Sequence, residues 1–162
     1  EEINAESRVS SRLIRSMVGK QAFEAVEKLL TRPYYLLDSV VYGQQLGRTL
    51  GVPTANLKTR SVPPLLRGVY LGYAGVDCSW KGAQLPAIGN FGFRPSVKGQ
   101  VFKAEIHCID AHFTQDQLYG HRLCFIPREK IRDEQRFEGL ESLRQAIQGD
   151  IQVAKQFFNR HQ

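Results

Sequence analysis

The chain has 162 residues, of which 42% are hydrophobic and 23% are charged, and its formal net charge is +6. This composition is typical of a globular domain with its own core, and no apolar run approaches the roughly 18 residues of a membrane-spanning helix. No secretory signal is visible, and the three cysteines form no Cys-x-x-Cys pair of the kind found in zinc or redox sites. We therefore expect a reduced, cytoplasmic protein without a membrane span or a disulfide framework.

The positive charge is concentrated in the middle of the chain. Residues 1–42 hold six basic and six acidic residues and residues 106–162 hold eight of each, whereas residues 43–105 hold eight basic and two acidic residues. A basic region of this kind attracts anionic ligands. The distribution leaves a nucleotide polyphosphate and a nucleic acid open as ligand classes, beside an ordinary basic surface.

Two short helices are predicted near the start of the chain. Ser10 or Ser11 is a suitable N-cap for the first helix, and Gly19 marks its end. The second helix is expected from about Gln21 to Leu30, before Pro33 interrupts the pattern. Two helices of this length bury little by themselves, so we expect a linker or the tail of a preceding domain.

After these helices the sequence becomes typical of β-strands. Short segments rich in aromatic and branched residues are separated by Gly and Pro turns. The expected strands cover residues 34–42, 68–76, 87–95, 101–110 and 122–127. A final apolar stripe at helical spacing runs from Leu140 to Phe158. This order predicts a small antiparallel barrel with one helix packed against it.

A glycine-rich loop lies between the first two predicted β segments. Gly43, Gly47 and Gly51 recur at a spacing of four, and Arg48 adds a fixed positive charge. Such a loop can bring backbone N–H groups close to phosphates, although no Gly-Lys-Ser/Thr sequence closes it as in a Walker A motif. Directly after it, Pro53 precedes Thr54 and Asn56, whose side chains share one face of an extended chain. Two hard oxygen ligands beside a phosphate loop indicate a magnesium site at Thr54 and Asn56.

Several ordered motifs resemble the riboflavin kinase family. They are Gly47-Arg-Thr-Leu-Gly-Val-Pro-Thr-Ala-Asn56, Gly68-Val-Tyr70, Asn90-x-Gly-x-Arg-Pro95, Glu105-x-His107, Leu118-Tyr-Gly120, Ile131-Arg132 followed by Phe137, and Leu140-Glu-Ser-Leu143 with Asp150. The resemblance implies a mainly β fold, a six-stranded antiparallel Greek-key barrel with a C-terminal helix, preceded here by short N-terminal helices. It also implies transfer of a phosphoryl group from ATP to riboflavin to give FMN.

The same resemblance implies roles for individual residues. Glu105, on the polar face of its strand, corresponds to the catalytic base, and Thr54 and Asn56 contact Mg²⁺ and phosphate. The flap from Gly43 to Gly51, including Gly47 and Arg48, closes over ATP. The remaining residues implied in nucleotide or flavin binding are His107, Tyr119 and Arg132. Tyr42 and Gln44 depart from the common family pattern, which bears on the rim of the flap and not on these roles.

The first 33 residues resemble a different module. The pattern from Ser10 to Arg15 is similar to the last helices of the FMN adenylyltransferase module that precedes the kinase in bacterial bifunctional enzymes. We therefore expect residues 1–33 to be the end of such a module and residues 34–162 to be the kinase domain. Because the chain starts at Glu1 and lacks the rest of that module, we expect a fragment without adenylyltransferase activity.

Two other functions remain open at the level of the sequence. A basic barrel could bind nucleic acid by stacking bases on Tyr70, Tyr73, Phe91 and Phe93. A catalytically silent module could bind FMN for regulation. The expected partners are instead the small molecules riboflavin and ATP and the adenylyltransferase module of the parent chain, with no nucleic acid and no membrane.

Overall fold

The computed structural model describes residues 9–43, 47, 50–59, 65–96, 99–111 and 113–161. Two helices come first, α1 (Ser11–Gly19) and α2 (Phe23–Leu30). Ser10 is the N-cap of α1, since its hydroxyl oxygen accepts a hydrogen bond from the Leu13 N–H at 3.2 Å. The helix therefore begins and ends where the capping pattern predicts.

Six antiparallel strands follow and close into a barrel. They are β1 (Leu36–Val41), β2 (Ala55–Leu57), β3 (Gly68–Val76), β4 (Leu85–Ser96), β5 (Gly99–Cys108) and β6 (Arg122–Arg132). Their order around the barrel is β1-β2-β5-β4-β3-β6, in which β6 returns beside β3 as in a Greek key. The predicted mainly β, six-stranded Greek-key barrel is confirmed.

Two further helices complete the chain. A single turn, α3 (Gln115–Leu118), precedes β6, and the long helix α4 (Leu140–Arg160) ends the fold. Within the residues that the structure describes, no helix has the length and hydropathy needed to cross a bilayer.

Alternation along β5 separates the inside of the barrel from its outside. Ala104, Ile106 and Cys108 are buried in the main core, whereas Glu105 and His107 lie on the opposite face. The alternation seen in the sequence therefore predicts the face of each of these side chains correctly.

The N-terminal helices contribute to the same core. Val18, Phe23 and Val26 belong to the cluster that fills the barrel, and the Phe23 ring meets Tyr70 of β3 edge to face at 6.1 Å. An ion pair of 2.8 Å joins Glu27 of α2 to Arg128 of β6. The helices thus pack against one end of the barrel, while the division of the chain at residue 33 stays a prediction.

Helix α4 covers the outside of the barrel with only part of its apolar stripe. Ala154 and Phe158 are buried against Val69 and Leu71 of β3, in a second core separate from the interior. Leu140, at the other end of the stripe, is 59% exposed. The last turns of α4 therefore anchor the helix, and its first turn borders a more open region.

Strand β4 is longer than its glycines and proline suggest. The expected strand leads into a loop near Pro95, but β4 continues to Ser96 because it pairs with β5 along its whole second half. The last pairs are Pro95 with Gln100 and Ser96 with Gly99. A long ladder with one neighbour holds the strand despite the missing N–H of proline.

Candidate active site

A row of polar side chains crosses three strands on the outside of the barrel. Glu105 of β5 is the register partner of Asn56 of β2 on one side and of Asn90 of β4 on the other. Directly paired residues point to the same face of a sheet and have Cα atoms about 5 Å apart. Their strand neighbours Ile106 and Phe91 are buried inside the barrel. The carboxylate therefore lies between two carboxamides on the outer face.

The glycine-rich loop covers the Asn56 end of this row. Asn56 is only 6% exposed although it points outward. A Cβ atom at Gly43 would overlap the Asn56 carboxamide, and one at Gly47 would collide with the Val52 carbonyl oxygen. Side chains at these two positions are excluded because the backbone of Gly43 lies against Asn56 and that of Gly47 lies against Val52.

The turn before β2 is held by a histidine from β5. The Nδ1 atom of His107 lies 2.8 Å from the carbonyl oxygen of Pro53, next to Thr54. Burial lowers the pKa of His107, and the hydrogen bond to the Pro53 carbonyl opposes that effect more weakly. A neutral ring that donates through Nδ1 therefore fits this environment.

A buried ion pair marks the opposite edge of the outer face. Arg132, at the end of β6, donates from Nε and Nη2 to the two oxygens of Asp150 on α4, at 2.9 and 2.8 Å. Asp150 is 6% exposed. The guanidinium also lies over the Phe137 ring, 5.6 Å from its centre. Arg132 thereby joins β6, the connection after it and α4.

The connection between β6 and α4 also contacts β4. Glu134 forms an ion pair with Arg94. Arg94 pairs with Val101 in the ladder between β4 and β5. The pair of Asn90 with Glu105 lies four residues earlier along β4 in the same ladder. Glu134 therefore lies on the outer face of β4, a few residues along the strand from Asn90.

An aromatic stack lies where β1 runs into the glycine-rich loop. The rings of Tyr42 and Tyr119 are 3.9 Å apart and inclined by only 19°. Tyr42 is 72% exposed, so this stack lies at the surface. Tyr119 is followed by Gly120, whose N–H donates to the carbonyl of Val40 at 3.3 Å. The stack therefore borders the base of the flap and not the polar row itself.

The structure brings together most of the residues singled out in the sequence. Gly43, Gly47, Thr54, Asn56, Glu105 and His107 form one continuous region, with Tyr119 at one edge and Arg132 at the other. Gly51 lies in a turn with a φ of +75°, a conformation that favours glycine. Arg48 lies outside the described residues, so its predicted contact with phosphate stays a prediction.

Two residues in this region have relationships that only the structure reveals. Asn90 and Asp150 both lie in motifs of the resemblance, but no role was assigned to them from the sequence. Asn90 is the register partner of Glu105, and Asp150 forms an ion pair with Arg132. Strand register and helix docking supply these relationships, and neither is visible in the spacing of residues along the chain.

The donor set near Asn56 suits a cation that is shared with a polyphosphate. Within the part of the chain that the structure describes, no group of three or more His, Cys, Asp or Glu side chains could hold a metal by itself. The Thr54 hydroxyl and the Asn56 carbonyl are neutral hard oxygen donors, and Mg²⁺ is commonly held by few protein ligands together with phosphates and water. The residues present therefore fit a magnesium ion that arrives with a nucleotide.

The closed barrel carries a carboxylate between two carboxamides on its outer wall, one of them covered by Gly43, and this makes the chain a small antiparallel barrel domain with a candidate site on the outer wall. The family model named Flavokinase, described as riboflavin kinase, matches residues 30–158. The chain belongs to the riboflavin kinase family.

Proteins from several bacteria are similar to this chain over most of its length. It is 42% identical over 151 residues to the bifunctional riboflavin kinase/FMN adenylyltransferase of Pseudomonas fluorescens, covering 91% of this chain and 46% of the relative. The protein of the same description from Escherichia coli strain K12 is 36% identical over 152 residues, covering 93% and 46%. The chain thus spans about half the length of the curated relatives it matches.

Two solved structures share the fold. One is described as a macrolide-efflux protein from Streptococcus pneumoniae, with a TM-score of 0.74, 25% identity, and coverage of 94% of this chain and 48% of that one. The other is riboflavin kinase from Trypanosoma brucei, with a TM-score of 0.56, 24% identity, and coverage of 77% and 79%. The second of these structures is a kinase of similar length that shares the barrel fold.

Proposed function

We propose that this domain transfers the γ-phosphoryl group of ATP to the 5′-hydroxyl of riboflavin, giving FMN and ADP. The observation that carries this proposal is the position of Glu105, in register with Asn56 beneath the glycine-rich loop, in a chain matched by the riboflavin kinase model. The family supplies the substrate class, and the geometry supplies the proposed roles of the residues.

Glu105 is the proposed general base. An alcohol is a poor nucleophile at neutral pH, so its proton must be accepted as the new phosphorus–oxygen bond forms. The carboxylate takes this proton while the bond between the γ-phosphorus and the oxygen of the leaving ADP breaks. Asn56 and Asn90 on either side offer amide N–H groups that can orient the carboxylate or a bound phosphate.

Thr54 and Asn56 are the proposed holders of Mg²⁺, through the hydroxyl and the side-chain carbonyl. When bound, the ion would offset negative charge that develops on the phosphate oxygens. The backbone of Gly43 packs against the Asn56 side chain, and that of Gly47 packs near the Thr54 side chain. This packing already restricts the movement of both side chains.

The glycine-rich loop is the proposed cover of the nucleotide. Backbone N–H groups between Gly43 and Gly51, together with Arg48, would bind the phosphates and exclude water during transfer. On the other side, Arg132 and the connection after it are the proposed wall for riboflavin. Tyr119 would contact a ligand from the base of the loop, where its ring is already stacked.

The longer relatives suggest the setting of the domain. Their description names an adenylyltransferase besides the kinase, and we propose that a module of that kind accompanies this domain in its parent protein, which acts in the cytoplasm. We place the end of that module at residues 1–33 and the kinase domain at residues 34–162.

A nucleic-acid-binding function has less support. Base stacking would need exposed aromatic rings along the basic region. Tyr70 and Phe91 are buried in the barrel interior, Tyr73 packs on Phe158 at 5.1 Å, and Phe93 packs on Phe102 at 5.5 Å. No row of free rings follows the basic region in the part of the chain that the structure describes, so stacking has little basis.

The test is an assay of the chain with riboflavin, ATP and Mg²⁺, followed by chromatographic separation of the flavins. We expect FMN to accumulate with equimolar ADP, and to depend on both the nucleotide and the metal. Folded protein that binds flavin and forms no FMN above a blank without protein would replace the kinase proposal with the silent FMN-binding module. Binding of single-stranded oligonucleotides that weakens steeply with salt would favour the nucleic-acid function.

A further inference from the structure

His107 lies on the same outer face of β5 as Glu105, two residues further along the strand. Its Nδ1 atom is 2.8 Å from the carbonyl oxygen of Pro53. A carbonyl oxygen only accepts hydrogen bonds, so Nδ1 carries the proton and Nε2 is the unprotonated nitrogen of the neutral ring. The contact thus specifies both the orientation and the tautomer of the imidazole.

The hydrogen bond acts on the peptide that leads into Thr54. A peptide unit is planar, so fixing the Pro53 carbonyl also fixes the direction of the Thr54 N–H and the position of its Cα. The ladder pairs Ala55 with Ile106 and Asn56 with Glu105. Continued by one residue, the same register places Thr54 opposite His107.

The loop side of Thr54 is also closely bounded. A Cβ atom at Gly47 would lie 3.3 Å from both Oγ1 and Cγ2 of Thr54. Thr54 therefore lies against Gly47 on one side and follows the peptide that His107 holds. Rotation of the Pro53 peptide would move the Thr54 hydroxyl relative to Asn56.

We propose that His107 is a positioning residue, which holds the Pro53 to Thr54 peptide so that the Thr54 hydroxyl is directed toward the nucleotide and its cation. This inference rests on the proposed function, because it assigns a purpose to Thr54 in that site. It gives His107 a role that acts through Thr54 and needs no contact between the imidazole and the substrate.

Two substitutions separate this role from a direct ligand contact. The side-chain amide of asparagine places an N–H donor near the position of Nδ1, whereas that of glutamine reaches the position of Nε2. His107→Asn should preserve the bond to Pro53, and His107→Gln should lose it. His161 is a matched control, since its Nδ1 lies 2.8 Å from the Phe157 carbonyl at the end of α4.

The experiment combines NMR of the imidazoles with binding of Mg·ADP. In long-range ¹H–¹⁵N spectra of the free wild-type chain, His107 should show the neutral Nδ1–H tautomer. By calorimetry, His107→Gln should weaken Mg·ADP binding about tenfold, the effect of one lost hydrogen bond. His107→Asn and His161→Gln should each remain within about twofold of the wild type.

Either readout can overturn the proposal. An Nε2–H tautomer at His107 would contradict it, as would a His107→Gln variant that binds like the wild type while His107→Asn is weakened. If His107→Gln fails to fold, as judged by circular dichroism, the tautomer and the His107→Asn affinity still decide. Wild-type chain that has the expected tautomer and binds Mg·ADP but forms no FMN would overturn the proposed function and leave the positioning role standing, whereas chain that does not bind Mg·ADP would overturn both.

Discussion

Glu105 and Asn56 face each other as direct partners across the ladder of β2 and β5, although 48 residues separate them in the chain. The glycine-rich loop covers one partner, and the other is open toward Asn90. The proposed chemistry therefore requires Asn56 to stay in place beside Gly43 while Glu105 stays accessible to a hydroxyl group.

Gly43→Ala tests the contact between the loop and Asn56. A methyl group at this position would overlap the Asn56 carboxamide, so either the loop or the side chain must move. We expect the KM for Mg·ATP to rise about tenfold or more, corresponding to the loss of at least one ligand hydrogen bond.

Gly149→Ala is the matched control, since a Cβ at Gly149 in α4 meets nothing within 4 Å. It should leave kinetics unchanged and stabilise the chain by about 0.5–1 kcal/mol, because alanine is the better helix former. Steady-state kinetics and urea unfolding check both variants. Equal kinetics for the two alanine variants would mean that the loop does not hold Asn56 in the working enzyme.

Val26→Ala tests whether the N-terminal helices belong to the same cooperative unit as the barrel. Val26 is fully buried in the core that also contains Phe125 of β6. Removing two methyl groups there should lower the free energy of unfolding by about 2 kcal/mol, in a single transition. The same substitution at Val153, which is 44% exposed on α4, should change it by no more than about 0.5 kcal/mol.

Urea unfolding followed by circular dichroism and by the fluorescence of Trp80, in the connection between β3 and β4, reports whether the transitions coincide. A separate early transition that alone responds to Val26→Ala would show that the helices unfold independently of the barrel. That result would support the predicted boundary at residue 33 in energetic terms.

The pair formed by Arg132 and Asp150 should be far more important than an exposed pair on the same helix. Asp150→Ala leaves a largely buried guanidinium without its partner, and we expect a loss of about 3 kcal/mol in unfolding free energy. Lys155→Ala, which breaks an exposed pair with Asp110, should cost about 0–1 kcal/mol. Chemical denaturation measures both, and equal losses would contradict a structural role for the buried pair.

Stability should fall at alkaline pH because two thiols are buried. Burial raises the pKa of Cys108 to about 11 and is the main cause that raises the pKa of Cys124 to about 12, from an ordinary value of 9.0. Above pH 9 the unfolded chain therefore releases protons that the folded chain retains, so stability present below pH 9 is lost as pH rises toward these values.

Urea unfolding at pH 8 and pH 10 checks this dependence. The double variant Cys108→Ala, Cys124→Ala should be less stable overall but should lose less of its stability between the two pH values. A pH dependence as steep as that of the parent chain would show that other groups cause the alkaline loss.

Local patterns predict much of this fold, for physical reasons. The alternation of β5 shows which side chains face out, and the serine before α1 and the glycine at its end mark the helix correctly. These features depend on neighbours within a few residues. The outward direction of the Glu105 side chain can therefore be predicted from the sequence.

Other features depend on contacts between distant segments. The pairing of Glu105 with both Asn56 and Asn90 requires the barrel to close in one register, and the docking of α4 decides that Asp150 meets Arg132. Residue spacing carries no information on either. The packing of α1 and α2 into the barrel core is likewise set by side-chain contacts at long range.

The most direct test of the account is the single-turnover rate of FMN formation by Glu105→Gln. Glutamine keeps the size and hydrogen bonding of the side chain but cannot accept the hydroxyl proton, so we expect a rate about 100- to 10,000-fold below that of the wild type. Affinities for Mg·ADP and riboflavin should remain close to the wild-type values. Glu129→Gln, on the outer face of β6 beside Leu71, should react at the wild-type rate. A Glu105→Gln rate within a few fold of the wild type would contradict the assignment of Glu105 as the general base.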